Sequence, residues 1–413
     1  MDPQPSYVST PFPGVGLLES EVVPSVADVE VDWTALRHPA GLYGSRAWAQ
    51  TSELRAPEAT RYVVARGAGG EAAGVLPLFL VDPAEAGIYD PAATLGAELH
   101  AELGRGLVLL ACTMAGYRSG FAVRRTAAGD AATAAVASML LAADAVATEL
   151  GADVLGVQYL LPAEAELLAA TGVVTRAELV FQACELTIDL VGHGFPDYVQ
   201  ALSARRRSTV RRDLALFEAS GASVTRSRLS GSLEFGPRLL GNVYGRHEEG
   251  LGEDAARELL AAQAACLDGV SHAFAALDAG GAPIAFSVAF EWDGALYVRL
   301  VGMEYGRAEP TGAYFQVAYY APLRLAYERG FSRVHLGLKS YRPKVLRGSR
   351  PDPLFGVFRG RGRKRIAPGD AQAVGARKAA SVRDELGELA PPWLTGAPLP
   401  GTSRADATAP APA

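Results

Sequence analysis

Cysteine is scarce in this chain: Cys112, Cys184 and Cys266 stand far apart in 413 residues, with no CxxC pair. No histidine lies at metal-ligand spacing from them. They read as small buried thiols of a reducing compartment, which excludes a disulfide scaffold and a zinc ribbon, and no metal is expected. A secretion signal is missing too, since residues 1–21 hold neither a basic n-region nor an apolar h-region. The longest weakly polar stretch, residues 131–148, is half alanine and contains Asp144, which suits a packed helix better than a membrane span. The expected location is therefore the cytoplasm. An excess of one charge is also lacking. The formal net charge is -6, so any attraction to nucleic acid has to come from local clusters. No P-loop, redox motif or nucleophilic Ser/His/Asp grouping is present.

What is present is apolar material for a large core. The apolar fraction is 49%, and the length argues for two domains. Both ends are compositionally loose: residues 1–25 lack periodicity, and residues 390–413 repeat Pro, Ala and Gly. The division expected is a flexible segment over 1–29, domains over 30–190 and 191–366, and a short helix with a disordered tail over 367–413.

Between those ends the same order of elements occurs twice. RYVVARG and GVLPLFLV flank the turn AGG at 68–70 and predict a hairpin; GLVLLACTM (106–114) is a third strand. A helix over 131–150 ends at Gly151, and a strand follows at 154–160. The second half repeats this with HAFAALD and PIAFSVAFE around AGG at 279–281, and ALYVRLVGM at 295–303. A helix over 312–329 then ends at Gly330, before a strand at 332–336. Glycine takes the left-handed conformation that ends a helix at least cost. The fold class implied is α/β, with a mixed sheet flanked by helices in each half.

This order and its local sequences resemble the GNAT superfamily. The closer likeness is to tandem Fem-type and CelD/BioF-like acyltransferases and to peptidoglycan biosynthesis/recognition proteins. Two stretches carry it: FPDYVQALSARRRSTVRRDLALFEASGASV (195–224), and TGAYFQVAYYAPLRLAYERGFSRVHLG followed by YRPKVLRG (311–348). The resemblance implies two GNAT-like domains in tandem, the second catalytic, forming an amide by acyl transfer. Two departures stand out. Gln316 occupies the place of an acidic residue that recurs before the family's Tyr-Tyr pair. The acetyl-CoA signature is missing from the second half, where Arg307 and Gly312 are too far apart; YRSGFA (117–122) is a near miss that begins with Tyr117.

Amide formation needs a deprotonated amine held near the carbonyl and a stabilised oxyanion. GNAT logic assigns Val301, Gly302 and Met303 to the acyl arm of the donor. Gly312, Ala313 and Tyr314 would meet its phosphate at a helix start. The resemblance gives Lys344 a positive charge near the donor ester, and Arg347 fits a phosphate or carboxylate. Tyr319 and Tyr320 are candidate proton donors, although an aromatic stripe at that spacing also builds cores. Glu304 and Glu291 flank a strand as candidate bases, and His247 is a further candidate to take a proton at neutral pH. Arg205, Arg206, Arg207, Arg211 and Arg212 form a dense cluster; Arg205 and Arg212 share one helix face with Ser208. RGRGRKR (359–365) adds charge opposed, over residues 339–365, by Asp352 alone.

Three readings follow. The donor is aminoacyl-tRNA and the acceptor an amine of a small molecule or cell-wall precursor, with no tightly bound cofactor; or the donor is acyl-CoA; or the chain is a non-catalytic binding module. The oligomeric state stays open.

Overall fold

The computed structural model describes residues 16–246 and 252–394. His247 and most of the Pro/Ala-rich tail lie outside the described residues. The chain forms two compact units. Of the described residues, those up to 184 and from 353 onward make the first, and those over 185–352 make the second.

The first unit begins with β1 (Glu19–Val23), β2 (Thr60–Arg66), β3 (Ala72–Val81) and β4 (Val108–Ala111). Helix α1 (Asp130–Glu149) leads to β5 (Val154–Leu160) and to β6 (Val180–Asp189), in which the chain leaves the unit. β2 and β3 are the hairpin expected around residues 68–70, and β4 and β5 pair in parallel, as a crossover helix requires. β5 is buried along its whole length, and α1 packs on β2, β3 and β5. Length and composition alone would let α1 cross a membrane, yet 67% of its apolar window is buried inside the unit.

One correction concerns the N-terminus. Residues 19–23, expected to be loose, pair antiparallel with β2, and Glu21 forms an ion pair with Arg66. The strand lacks a clean apolar alternation because it is an edge, exposed on one side.

The second unit contains α2 (Phe195–Ala201), α3 (Ala204–Ala219), β7 (Ser223–Ser227), α4 (Gly236–Arg246) and α5 (Glu253–Leu267). Then come β8 (Ser271–Leu277), β9 (Pro283–Trp292) and β10 (Ala295–Met303). A crossover helix over residues 313–328 ends before Gly330 (φ 68°) and returns the chain to β11 (Arg333–His335), parallel to β10. A short helix, α6 (Tyr341–Leu346), precedes β12 (Arg350–Gly360), in which the chain re-enters the first unit, and α7 (Pro368–Leu386) follows there. The order across this unit is β6–β11–β10–β9–β8–β7. The mixed α/β class is thus as the sequence implied. Residues 353–366, assigned from sequence to the second half, cluster with the first unit, where Phe355–Gly360 pair with β5.

Candidate functional site

In the second unit β10 and β11 pair only over Ala295–Tyr297 and Arg333–His335. β10 then runs on alone on that side to Met303. On its other side it stays bonded to β9, and the Glu304 N–H donates to the Ile284 carbonyl at 2.8 Å. Alternation along the strand turns the N–H groups of Val301 and Met303 toward the edge that β11 has left. Gly302, between them, serves packing. A β-carbon there would stand 2.5 Å from the Phe286 ring and 2.6 Å from the backbone of Leu239 and Leu240 in α4. Gly302→Ala is expected to destabilise the protein by about 1–3 kcal/mol, because backbone atoms on a helix cannot swing aside. An unchanged denaturation midpoint would show that α4 gives way freely.

The first unit treats the same opening differently. There Ser119 bridges to Leu160 beside β5: its N–H donates to the Tyr159 carbonyl at 2.7 Å. The Phe121 N–H is held by the buried carboxylate of Glu164 at 2.9 Å, and Gly120 is pressed against Pro39. The YRSGFA stretch is thus built into the strand opening by its own backbone bonds, not left as a free phosphate loop.

The crossover helix of the second unit is not uniform. Ala313–Phe315 is α-helical, Gln316–Tyr320 is a π-helical turn, and Ala321–Glu328 is α-helical again. Proline explains the change: Pro322 has no N–H for the Ala318 carbonyl, and the Ala321 N–H reaches back to Gln316 instead. The Ser287 hydroxyl on β9 donates to the Val317 carbonyl at 2.5 Å. This turn buries Gln316, Tyr319 and Tyr320 together.

Around the two tyrosines lies a network that joins four elements. Tyr320 donates its phenol to Asp213 of α3 at 2.7 Å, and the Arg347 Nη2 donates to the same carboxylate oxygen at 2.5 Å. Arg347 Nε donates to the Tyr320 oxygen at 3.2 Å, its Nη1 to the Pro343 carbonyl at 2.9 Å, and Tyr198 of α2 bonds its carbonyl at 2.7 Å. The guanidinium lies 3.5 Å over the Phe315 ring and 5.2 Å from that of Tyr319. Every nitrogen of Arg347 is thus engaged inside the protein, and its side chain is 3% exposed. It ties helices together and has no free edge for a donor phosphate.

Burial pushes the Tyr320 phenol far above its ordinary range, against the pull of Arg347, and pushes Tyr319 up as well, with Tyr314 adding to the shift. Both stay protonated in neutral water. The Tyr319 hydroxyl is buried without a well-formed hydrogen bond.

Lys344 lies on α6, entered through a turn in which Gly337, Lys339 and Ser340 all have left-handed φ. Two such non-glycine residues in succession mark a strained turn, of the kind that gathers at functional sites. The Lys344 ammonium is largely buried and donates to the Leu338 carbonyl at 2.6 Å. Glu304, at the end of β10, is half-buried and meets Arg238 at 2.7 Å and Asn242 at 3.4 Å. Glu291 is engaged elsewhere, by His272 and by Arg329 at 3.7 Å.

Two of the three N–H groups expected to form a phosphate cradle at the helix start are taken from within. The Ala313 N–H is taken by the Thr311 hydroxyl at 3.2 Å and the Gly312 N–H by the Glu309 carbonyl at 3.3 Å. Gly312 lies beneath Leu216 and the Asp213 backbone of α3; Tyr314 is half-buried beside Phe315 and Tyr319. On α3, Arg207 bonds the Leu202 carbonyl at 3.1 Å, and Arg212 reaches Asp213 only at 4.0 Å. Arg205 and Arg211 are exposed and Arg206 is half-buried.

Sequence reasoning missed Asp213 and a second buried pair. The signal that could have found Asp213 is its place as the acid that ends a run of arginines, spaced with Val210 and Phe217 on a buried face. His335 Nδ1 and Glu185 lie 3.0 Å apart, each 3% exposed or less, where β10 and β11 diverge, and the Tyr297 ring stacks on His335 at 4.2 Å.

The sequence profile of the FemAB-like family, described as peptidoglycan biosynthesis/recognition, matches residues 115–363. The chain belongs to this family. No curated protein matches it in sequence. Among solved structures, FemX superposes with TM-score 0.50 at 13% identity, over 77% of this chain and 92% of that one. The C-terminal domain of a putative lysylphosphatidylglycerol synthetase from Agrobacterium fabrum gives 0.47 at 11%, over 84% and 93%. A GCN5-related N-acetyltransferase from Kribbella flavida gives 0.36 at 12%, over 82% and 71%. At such identities the likeness to FemX is one of fold.

Proposed function

We propose that this FemAB-like protein is an N-acyltransferase whose second unit moves an aminoacyl group from aminoacyl-tRNA to an amine on a small molecule or cell-wall precursor. The observation that carries the donor is the occupied start of the crossover helix. A coenzyme A pyrophosphate needs free N–H groups there, and those of Gly312 and Ala313 are bonded internally under α3. The same helix carries Arg206 and Arg211, which make no hydrogen bond or ion pair among the described residues, and the exposed Arg205 and Arg212. Arginines gathered along one helix suit a phosphate backbone.

The chemistry asked of the site is modest. The acceptor ammonium loses a proton, its nitrogen attacks the ester carbonyl, and the oxyanion meets the N–H groups of Val301 and Met303, with Lys344 adding positive charge. Collapse breaks the ester C–O bond, and the leaving ribose oxygen takes a proton from the Tyr319 phenol. The second proton of the attacking nitrogen restores that phenol, so Tyr319, held neutral by burial, passes a proton on without ending as phenolate. Glu304 takes the ammonium proton directly or through water, since its pair with Arg238 is a surface contact and cheap to open. Arg347 and Tyr320 position the loop and the helix.

Retention of the protein by bulk tRNA at two salt concentrations tests the donor, with coenzyme A as a parallel ligand in thermal shift. Salt-sensitive retention without a coenzyme A shift is expected. Arg206→Glu with Arg211→Glu should flatten the log–log salt dependence by about 1 for each phosphate that is no longer neutralised. A coenzyme A shift without tRNA retention overturns the donor in favour of acyl-CoA. No response to either favours a binding module.

A further inference from the structure

The basic tract at residues 359–365 plays no role in that reading, which concerns the second unit alone. In the first unit it closes a cavity of about 310 Å³ between the last turns of α1, the start of β5 and the end of β12. The small alanines Ala145, Ala147 and Ala152 line it. Acids distant in sequence, not Asp352, oppose the tract. Arg359 is 4% exposed, and its Nη1 donates to Asp144 at 2.9 Å. Arg363 faces the same carboxylate at 3.3 Å, and Arg361 faces Asp153 at 3.1 Å.

Two features point to a ligand. First, the Nε–H of Arg359 is buried with no acceptor. An unmet buried donor costs about 1–3 kcal/mol, and more when it is charged. Second, three guanidinium groups face two carboxylates, leaving one positive charge in excess. An anion bearing several oxygens answers both at once. Arg361 and Arg363 are 58% and 41% exposed at the mouth. Turning toward a ligand gives up their ion pairs with Asp153 and Asp144 and the Arg361 bond to the Gly151 carbonyl, while Arg359 keeps its own hold on Asp144. The volume sits near the lower bound of about 300 Å³ for small-molecule pockets. A singly charged phosphodiester matches the excess charge, whereas a polyphosphate would meet Asp144 and Asp153.

We propose that this cavity binds a phosphate group, with Arg359 as its buried anchor and Arg361 and Arg363 as its mouth. Planar guanidinium forks suit phosphate oxygens. The site does not rest on the donor assignment above.

Arg359→Gln would strip the half-buried Asp144 of a partner and endanger folding, so the test uses the exposed pair, Arg361→Ser with Arg363→Ser. Inorganic phosphate should raise the thermal midpoint of the native protein above that in chloride of equal ionic strength, and the double variant should lose the difference. The same variant is then retained on bulk tRNA across a salt series. A slope shallower by about 1 per arginine makes the phosphate an RNA phosphodiester. A lost phosphate shift with an unchanged slope makes it a small phosphoester. A native protein indifferent to phosphate, together with an unchanged slope, overturns the site. In that case a tRNA response to the Arg206 and Arg211 reversals would leave the donor reading standing.

Discussion

Lys344→Met is expected to lower transfer about 10²–10³-fold, the range seen when one preorganised group facing an oxyanion is removed. The side chain is largely buried, so its charge acts where water screens it little. It is also held: the ammonium bonds the Leu338 carbonyl across a turn kept in place by left-handed Lys339 and Ser340. Methionine keeps most of the volume and removes the charge, so the comparison isolates electrostatics from packing. Single-turnover transfer, with the donor found by the tRNA and coenzyme A experiment, is the measurement, and the thermal midpoint is its control. Full turnover at a native midpoint would remove Lys344 from the site. Lys344→Arg restoring most of the rate would show that charge, not ammonium shape, is what matters there.

The second large effect is on stability. Asp213→Asn or Arg347→Met should each cost about 3–5 kcal/mol, since each leaves the other charge buried without its partner. Arg347 has further ties to Tyr320 and Pro343, and its carbonyl holds Tyr198, so α2, α3, the crossover helix and α6 loosen together. Replacing both at once, Asp213→Leu with Arg347→Met, should recover much of the loss, because no lone charge then remains. Denaturant unfolding of the single and double variants measures this. Additive losses would mean that the two residues act independently.

This network also shows where sequence reasoning ends. LRG in the loop YRPKVLRG was readable as a basic, phosphate-seeking element. Its arginine instead finds an acid 134 residues earlier. The tract at 359–365 behaves alike: Arg359 meets Asp144, 215 residues away. Seen along the chain, both arginines look unopposed; in space, each is paired and buried.

Sequence alone determined the repeated elements and their order: both hairpins, both parallel returns, and the helices that stop before Gly151 and Gly330. Those follow from apolar periodicity and from glycine's freedom at positive φ, which are local properties of a few neighbouring residues. Tertiary structure decided what the polar residues do. It closed the strand opening of the first unit with Ser119 and left that of the second open; it filled the amide cradle at Gly312 with Thr311 and α3; and it turned Arg347 inward. The reason is that a charged side chain's role depends on which partner and how much water surround it, and both are set by contacts between residues far apart in the chain.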